Sequence, residues 1–349
     1  MEKLVHIVET QQFTVPWLEE DFYPLVDEME ELLKKREKGL IGSPVKPALT
    51  GKNVAEFFYG ASTRTRLSFQ FAAHELGAMN FPTDNAGISS SAAKTESLRD
   101  SIQVLSSYPT IDVIVVRTKI TQEKTEELNL KEAVPYSSKP VISGGDRNQQ
   151  HPTQTLIDLY TIRKEKGRIA DLTIGLGGDV GGSRTVRSLI YVAAKYPGTK
   201  FIIISPQMAQ LPDDLKDHLR KHGIEFQEVY DVREVAHLLD VYYVVRVQTK
   251  EGDKNTKDLD ARDRLLKYGP PAFWAANQET LKLLPRKAII IHPLPRTQDE
   301  LPYETDKDPR SVYFKQARYG EAVRMALLLT VLNEPYRTKF LRKTNPLSF

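Results

Sequence analysis

Val54-Ala55-Glu56-Phe57-Phe58-Tyr59-Gly60-Ala61-Ser62-Thr63-Arg64-Thr65-Arg66-Leu67-Ser68-Phe69 runs from an apolar segment into five hydroxyl- and guanidinium-bearing residues, then into an apolar-periodic stretch. Residues 54–59 read as a strand and residues 67–76 as a helix, so residues 62–66 fall where a strand ends and a helix begins. Unpaired backbone N–H groups and the positive end of the helix dipole point outward at such a junction, which makes it a ready anion site. Three hydroxyls and two guanidiniums on one turn suit a tetrahedral phosphate better than a planar carboxylate. An N-cap flanked by two surface arginines is the alternative that this stretch alone leaves open.

Outward from this junction, strands and helices alternate. Residues 17–38 form an opening helix, acidic early and basic late as a helix dipole prefers. Residues 112–117 and 140–143 read as strands, and a helix follows over 153–165. The pattern then restarts, with strands at 172–176, 200–205, 241–245 and 288–291 and helices at 185–195, 213–222 and near 311–333. Strands alternating with helices imply parallel sheets with crossover connections. The fold class expected is α/β, with two doubly wound parallel-sheet domains and an active site in the cleft between them. The domains are placed at residues 1–151 and 152–308, with 309–349 a C-terminal helix returning to the first. Residues 87–94 and 248–258, polar and without period, are the segments expected to be mobile.

Composition narrows the function. The 349 residues suit two domains, and 40% hydrophobic with 27% charged residues is ordinary for a globular chain. A net charge of +3, with one short basic run at 34–38, gives nucleic acid little to bind. Zero cysteines exclude disulfides, thiolate metal sites and a cysteine nucleophile. No apolar stretch approaches the ~18 residues of a membrane span, and Glu and Lys stand where a signal peptide has its apolar core, so a cytoplasmic enzyme is expected.

Further polar groups recur at the carboxyl ends of the expected strands, where open parallel sheets place ligands. Arg117 closes one strand. His151 and Gln154 lie three apart at a helix start, on one face of the turn. Arg184 opens a helix after Gly177-Gly178-Asp179-Val180-Gly181-Gly182-Ser183. That stretch invites a dinucleotide reading, but Val180 occupies the third position of the glycine pattern and no carboxylate ends the next strand. Arg246-Val247-Gln248 and His292-Pro293-Leu294-Pro295-Arg296 follow two more strands. With neither a catalytic carboxylate pair nor a metal-ligand cluster in the pattern, these turns describe a site that binds a multiply anionic assembly. Such a site acts by positioning and charge stabilisation.

Together, the motifs Ser62-Thr63-Arg64-Thr65-Arg66, His151-Pro152-Thr153-Gln154, Arg184-Thr185-Val186, Arg246-Val247-Gln248 and His292-Pro293-Leu294-Pro295-Arg296 resemble, in order and spacing, the aspartate/ornithine carbamoyltransferase family. His-Pro-Leu-Pro and Arg-Val-Gln favour its aspartate branch. The resemblance implies transfer of a carbamoyl group from carbamoyl phosphate to L-aspartate, a step of pyrimidine biosynthesis, without cofactor or metal. It implies that Ser62, Thr63, Arg64 and Thr65 cradle the phosphate and that Arg117 bridges phosphate and carbonyl. His151 and Thr65 would polarise the carbonyl, while Gln154 and the backbone at Pro293 and Leu294 hold the carbamoyl amino group. Arg184, Arg246 and Gln248 would take the two carboxylates of aspartate. It further implies a homotrimer with shared sites, in which Ser90 and Lys94 reach a neighbouring site, and it leaves a separate regulatory chain open. Two departures stand out: Gly60 occupies the place of a usual Glu, and Thr249-Lys250-Glu251 replaces a usual x-Glu-Arg loop. They leave open a carbamoyltransferase for another amino acid, or a non-catalytic ligand-binding paralogue.

Overall fold

Runs of Val, Ile and Phe make the central strands, and their burial on both faces is what a parallel sheet covered by crossover helices requires. The computed structural model describes residues 5–60, 62–83, 96–118, 129–146, 149–206, 209–246 and 271–343. Its strands are β1 (Asn53–Phe58), β2 (Met79–Thr83), β3 (Val113–Arg117), β4 (Val141–Ser143), β5 (Thr173–Gly178), β6 (Lys200–Ile204), β7 (Phe226–Val229), β8 (Val241–Val245) and β9 (Ile289–Ile291). The longer helices are α1 (Tyr23–Glu37), α2 (Thr63–Glu75), α3 (Leu98–Ser107), α4 (Pro152–Lys166), α5 (Arg184–Ala193), α6 (Asp213–Lys221), α7 (Tyr313–Leu332) and α8 (Glu334–Lys343). Two all-parallel sheets result, one ordered β2-β1-β3-β4 and one β7-β6-β5-β8-β9. The chain divides into two compact units, Met1–Ile157 with Arg318–Phe349, and Asp158–Ala317. Both boundaries fall inside helices, α4 and α7.

In the first unit the even-numbered side chains Ile114 and Val116 of β3 pack with Val8, Leu98, Ile102, Leu130 and Val141. Alternation along the strand sends the two sets of side chains to opposite faces, and each face is apolar. The opening helix is not uniform. A π turn, Leu18–Phe22, precedes α1, and the Tyr23 N–H bonds the Leu18 carbonyl five residues back. Pro24 follows immediately and has no N–H to contribute, which relaxes the register there. Trp17 stacks on Phe22 at 4.7 Å and meets Phe340 of α8 edge-on at 4.9 Å, so the two ends of the chain share one aromatic cluster.

In the second unit Ile202, Ile204, Tyr242, Val244 and Ile290 build a core with Trp274, Leu281 and Tyr313. The glycines of β5 serve this packing. A Cβ on Gly177 would lie 2.4 Å from the Tyr242 hydroxyl, and one on Gly178 (φ 103°) would lie 2.1 Å from the Val245 carbonyl oxygen. These glycines therefore exist for close approach of β8, which accounts for a glycine pattern that fails as a dinucleotide fingerprint.

The central strands and main helices match their sequence-based ranges within a few residues. Three differences have physical causes. Strands β2 and β7 form the outer edge of each sheet, where one side is solvated, so Met-Asn-Phe-Pro-Thr and Phe-Gln-Glu-Val carry no continuous apolar run. Helix α3 lacked a start signal stronger than its Ser97 N-cap. Helix α2 begins at Thr63, four residues before its apolar period, because Ser62 in extended conformation (φ −158°) is the N-cap. The segments 87–94 and 248–258 lie outside the described residues.

Gly178→Ala should lower unfolding stability by about 3 kcal/mol or more, since a backbone carbonyl cannot yield to the new methyl. Gly223→Ala, also at positive φ but with nothing within 4 Å of the new atom, should cost only about 1 kcal/mol. Denaturant unfolding of the two variants checks the ordering.

Candidate active site

In each sheet the strand order reverses beside one strand, and the crevice at its carboxyl end is where side chains from successive loops converge. In the first unit the reversal lies between β1 and β3. Phe58 pairs with Arg117, and the Tyr59 N–H donates to the Arg117 carbonyl at 2.9 Å, so the turn after β1 starts beside the end of β3. Gly144, just after β4, donates its N–H to Val116 at 2.7 Å and accepts from the Arg117 guanidinium at 3.1 Å. Three strand ends are thereby held side by side.

Ser62-Thr63-Arg64-Thr65 forms the N-cap and first turn of α2. Ser62 makes no side-chain hydrogen bond to that turn, whereas Ser97 and Ser183 cap α3 and α5 by accepting from Asp100 N and Val186 N. The first-turn N–H groups of α2 thus lack the side-chain cap that the other two helices have. Thr65 is buried. Arg64 is exposed, yet nearby protein bulk desolvates its guanidinium and lowers its pKa below the usual arginine value. A guanidinium stripped of some water gains most from an anion.

The loop from β4 to α4 is built around Asp146. Its carboxylate accepts from the Thr118 hydroxyl at 2.5 Å and the Leu130 N–H at 3.1 Å, and its own N–H donates to Gln150. Gln150 Oε1 in turn accepts from the Thr10 N–H and hydroxyl, both at 2.7 Å. This frame presents His151, which is buried and whose carbonyl accepts from the Gln154 and Thr155 N–H groups at the head of α4. Thr153 Oγ1 lies 3.3 Å from His151 Nδ1. Gln154 is half-buried on the same turn.

In the second unit the reversal lies between β5 and β8. After β5, Asp179 accepts from the Gly182 N–H at 3.0 Å and closes a tight loop that ends in the Ser183 cap and Arg184. Arg246 follows β8 directly. After β9, His292 Nδ1 accepts from the Leu294 N–H at 2.8 Å, holding Leu294 at φ 53°, and the Leu294–Pro295 peptide is cis. A left-handed leucine costs on the order of 1–2 kcal/mol, and such strain usually marks a loop shaped for use. Glu300 backs this loop, accepting from Thr297 N at 2.5 Å and facing His292 Nε2 at 3.6 Å. Arg296 is engaged behind it by Asp306, whose contact raises the arginine's pKa, and by the Tyr303, Tyr313 and Phe314 rings.

Of the residues singled out from sequence, Ser62, Thr63, Arg64, Thr65, Arg117, His151 and Gln154 fall in the first unit and Arg184, Arg246, Pro293 and Leu294 in the second. All stand at carboxyl ends of strands, in the loops that follow, or in the first turn of the next helix. Ser90, Lys94 and Gln248 lie outside the described residues. Among the described residues no group of three or more His, Cys, Asp or Glu side chains could hold a metal ion, and no helix is long and apolar enough to cross a membrane. Sequence reasoning missed Asp146, Asp158, Tyr243, Glu300 and Gln316. A hint existed for Asp158, a lone acid inside Leu156-Ile157-Asp158-Leu159-Tyr160.

Two parallel α/β units whose strand ends carry hydroxyl and guanidinium groups define the class, an α/β enzyme of the doubly wound kind. Residues 6–164 match the family described as aspartate/ornithine carbamoyltransferase, carbamoyl-P binding domain, and residues 170–331 its Asp/Orn binding domain. The chain belongs to the aspartate/ornithine carbamoyltransferase family. It is 39% identical over 330 residues to aspartate carbamoyltransferase 2, chloroplastic, of Pisum sativum, covering 95% of this chain and 79% of the pea protein. It is 40% identical to the aspartate carbamoyltransferase catalytic subunit of Finegoldia magna, covering 88% and 94%. Among solved structures it resembles the catalytic subunit of M. jannaschii aspartate transcarbamoylase, with TM-score 0.79, 35% identity and coverage of 94% and 98%. The Trypanosoma cruzi aspartate transcarbamoylase in complex with N-(phosphonacetyl)-L-aspartic acid gives TM-score 0.78 and 31% identity, covering 95% and 96%.

One acid on the strand that leads into α2 has a measurable signature. Glu56 of β1 is 1% exposed and accepts from Gln70 Nε2 of α2 at 3.0 Å, while its other oxygen is buried with no hydrogen-bond partner. Burial pushes its carboxyl up to about 7, against the opposing pull of Gln70 and of Arg66. The folded state thus holds a proton that the unfolded chain, near 4.5, has released. Stability from this group is complete below about pH 4.5 and is lost as pH rises to about 7. Glu56→Gln should therefore be more stable than the parent at pH 8, by roughly 2–4 kcal/mol, with the difference vanishing near pH 4.5. Urea unfolding of both proteins across that range tests the sign.

Proposed function

We propose that this chain transfers the carbamoyl group of carbamoyl phosphate to the amine of L-aspartate, releasing N-carbamoyl-L-aspartate and phosphate, in the cytoplasm. The observation that carries the reading is the uncapped first turn of α2 with Arg64, held beside the ends of β3 and β4 that bear Arg117 and lead to His151. The names of the relatives supply the acceptor.

Carbamoyl phosphate carries its charge on one tetrahedral end, which the N–H groups and the hydroxyls of Ser62, Thr63 and Thr65 receive together with Arg64. Arg117 spans the phosphate and the carbonyl. A Thr153 hydroxyl donating to His151 Nδ1 leaves the imidazole proton on Nε2, so His151 acts with Thr65 as a donor to the carbonyl oxygen. Gln154 and the carbonyls of Pro293 and Leu294 receive the carbamoyl N–H groups. Arg184, Arg246 and Gln248 fix the two carboxylates, which is a task for rigid guanidiniums. When the amine attacks, negative charge grows on the carbonyl oxygen, and donors already aimed there stabilise it without reorganising. The C–O bond to phosphate then breaks. The departing phosphate takes the amine's proton, so no protein base is required.

In this reading the active assembly is a homotrimer, with Ser90 and Lys94 of the partner subunit completing each site. A regulatory chain is a further component that only an assembly measurement addresses. Gly60 and Thr249-Lys250-Glu251 stand where the family carries closing ion-pair partners. Both members are replaced together, so neither charge is stranded.

Arg64→Ala should leave thermal unfolding unchanged and lower kcat/KM for carbamoyl phosphate by about 10²-fold or more, as loss of a charged transition-state contact does. Near-normal turnover would remove the phosphate assignment. Mixing inactive Arg64→Ala and Lys94→Ala proteins under conditions that exchange subunits should restore part of the activity. No recovery in verified mixed assemblies would mean that sites are not shared.

A further inference from the structure

A chain of buried hydrogen bonds in the second unit ends on one carboxylate. Asp158 of α4 is fully buried. Its Oδ2 accepts from the Tyr243 hydroxyl of β8 at 2.9 Å, and its Oδ1 accepts from Gln316 Nε2 of α7 at 2.6 Å. Gln316 Oε1 then accepts from the backbone N–H of His292 at 2.9 Å, at the point where β9 turns into the Pro293-Leu294 loop. On the other side the Thr185 side chain acts on the Tyr243 hydroxyl, opposing the rise of its pKa, and Ser183 Oγ lies 3.0 Å from Thr185 Oγ1. Ser183 is the N-cap of α5, and Thr185 follows Arg184.

Donor order along this chain is fixed. Tyr243 gives its single hydroxyl proton to Asp158, so its oxygen can face the Thr185 side chain only as an acceptor. Gln316 spends its amide N–H on Asp158, so its oxygen faces the His292 N–H. The bonds from Tyr243 and Gln316 both point toward Asp158, and only an acceptor on both oxygens can receive them. Burial keeps the Tyr243 hydroxyl protonated, raising its pKa far above the usual 10.

We propose that Asp158, through Tyr243 and Gln316, is the positioning hub that sets the relative placement of the Arg184 turn, the Arg246 strand end and the Pro293-Leu294 loop. The inference rests on the reading that these three segments receive the amino-acid acceptor and the carbamoyl amino group. Arg184 and Arg246 must match the separation of two carboxylates on one small molecule, and their own elements, α5 and β8, meet at the Thr185–Tyr243 contact. A shift of one side of the network moves one guanidinium relative to the other. None of the hub residues is assigned contact with substrate.

Tyr243→Phe removes one proton and one acceptor while keeping the ring. Asp158→Asn keeps the shape but places an NH₂ against a partner that already donates. Both should raise KM for aspartate about tenfold or more and KM for carbamoyl phosphate by less, since two of the three segments on the hub receive aspartate and only the Pro293-Leu294 loop receives the carbamoyl amino group. Unchanged KM for aspartate, or equal rises for both substrates, would overturn the hub. Amide hydrogen exchange supplies a readout without turnover. In Tyr243→Phe, protection should fall together at residues 184–188, 243–246 and 289–294 and persist in β1 and β3. Loss confined to β8 alone would also overturn it. If the parent protein itself fails to use aspartate, the activity reading falls, and the exchange experiment still decides the hub.

Discussion

Charge in these parallel sheets is confined by the cost of burying it. The interiors of β3, β8 and β9 carry no charged side chain, and an unpaired ion placed there would forfeit its hydration with nothing in return. At the carboxyl ends the situation reverses. Helices start there, their N–H groups lack intrahelical partners, and guanidiniums can face open space while their stems remain packed. Any ligand that carries negative charge is thus favoured by the same physics at the same edge of each sheet.

The buried acids make sense as supports for that edge. Asp146 accepts from two segments and shapes the loop that presents His151. Asp158 terminates a chain of donors beneath the second unit's guanidiniums. Glu300 braces the strained Leu294 loop. Each receives hydrogen bonds on more than one side, which is the condition under which a buried carboxylate is tolerable. Glu56 departs from this rule, with one oxygen unpartnered, and its raised pKa follows from that.

Much of this was legible in the sequence because it depends on local grammar. Apolar runs fixed the central strands, hydroxyl and guanidinium residues after them marked the turns, and His292-Pro293-Leu294-Pro295 announced a shaped loop. Edge strands β2 and β7 were not legible, since half of each faces water and Pro82 breaks the run. The supports were hidden for a different reason. Tyr243 and Asp158 are 85 positions apart, and Gln316 and Asp158 are 158 apart. No period or motif links them, so their partnership exists only once the sheet has brought α4, α7 and β8 together.

Acceptor chemistry is decided by phosphate release from carbamoyl phosphate in the presence of L-aspartate. Parallel reactions would contain L-ornithine and a panel of other amino acids, with carbamoylated products identified by mass. Rapid release is expected with aspartate, giving N-carbamoyl-L-aspartate as product, and little release with the others. Release with a different amine would contradict the acceptor and place specificity at Gly60 and residues 249–251. Absence of release with every amine would contradict catalysis itself.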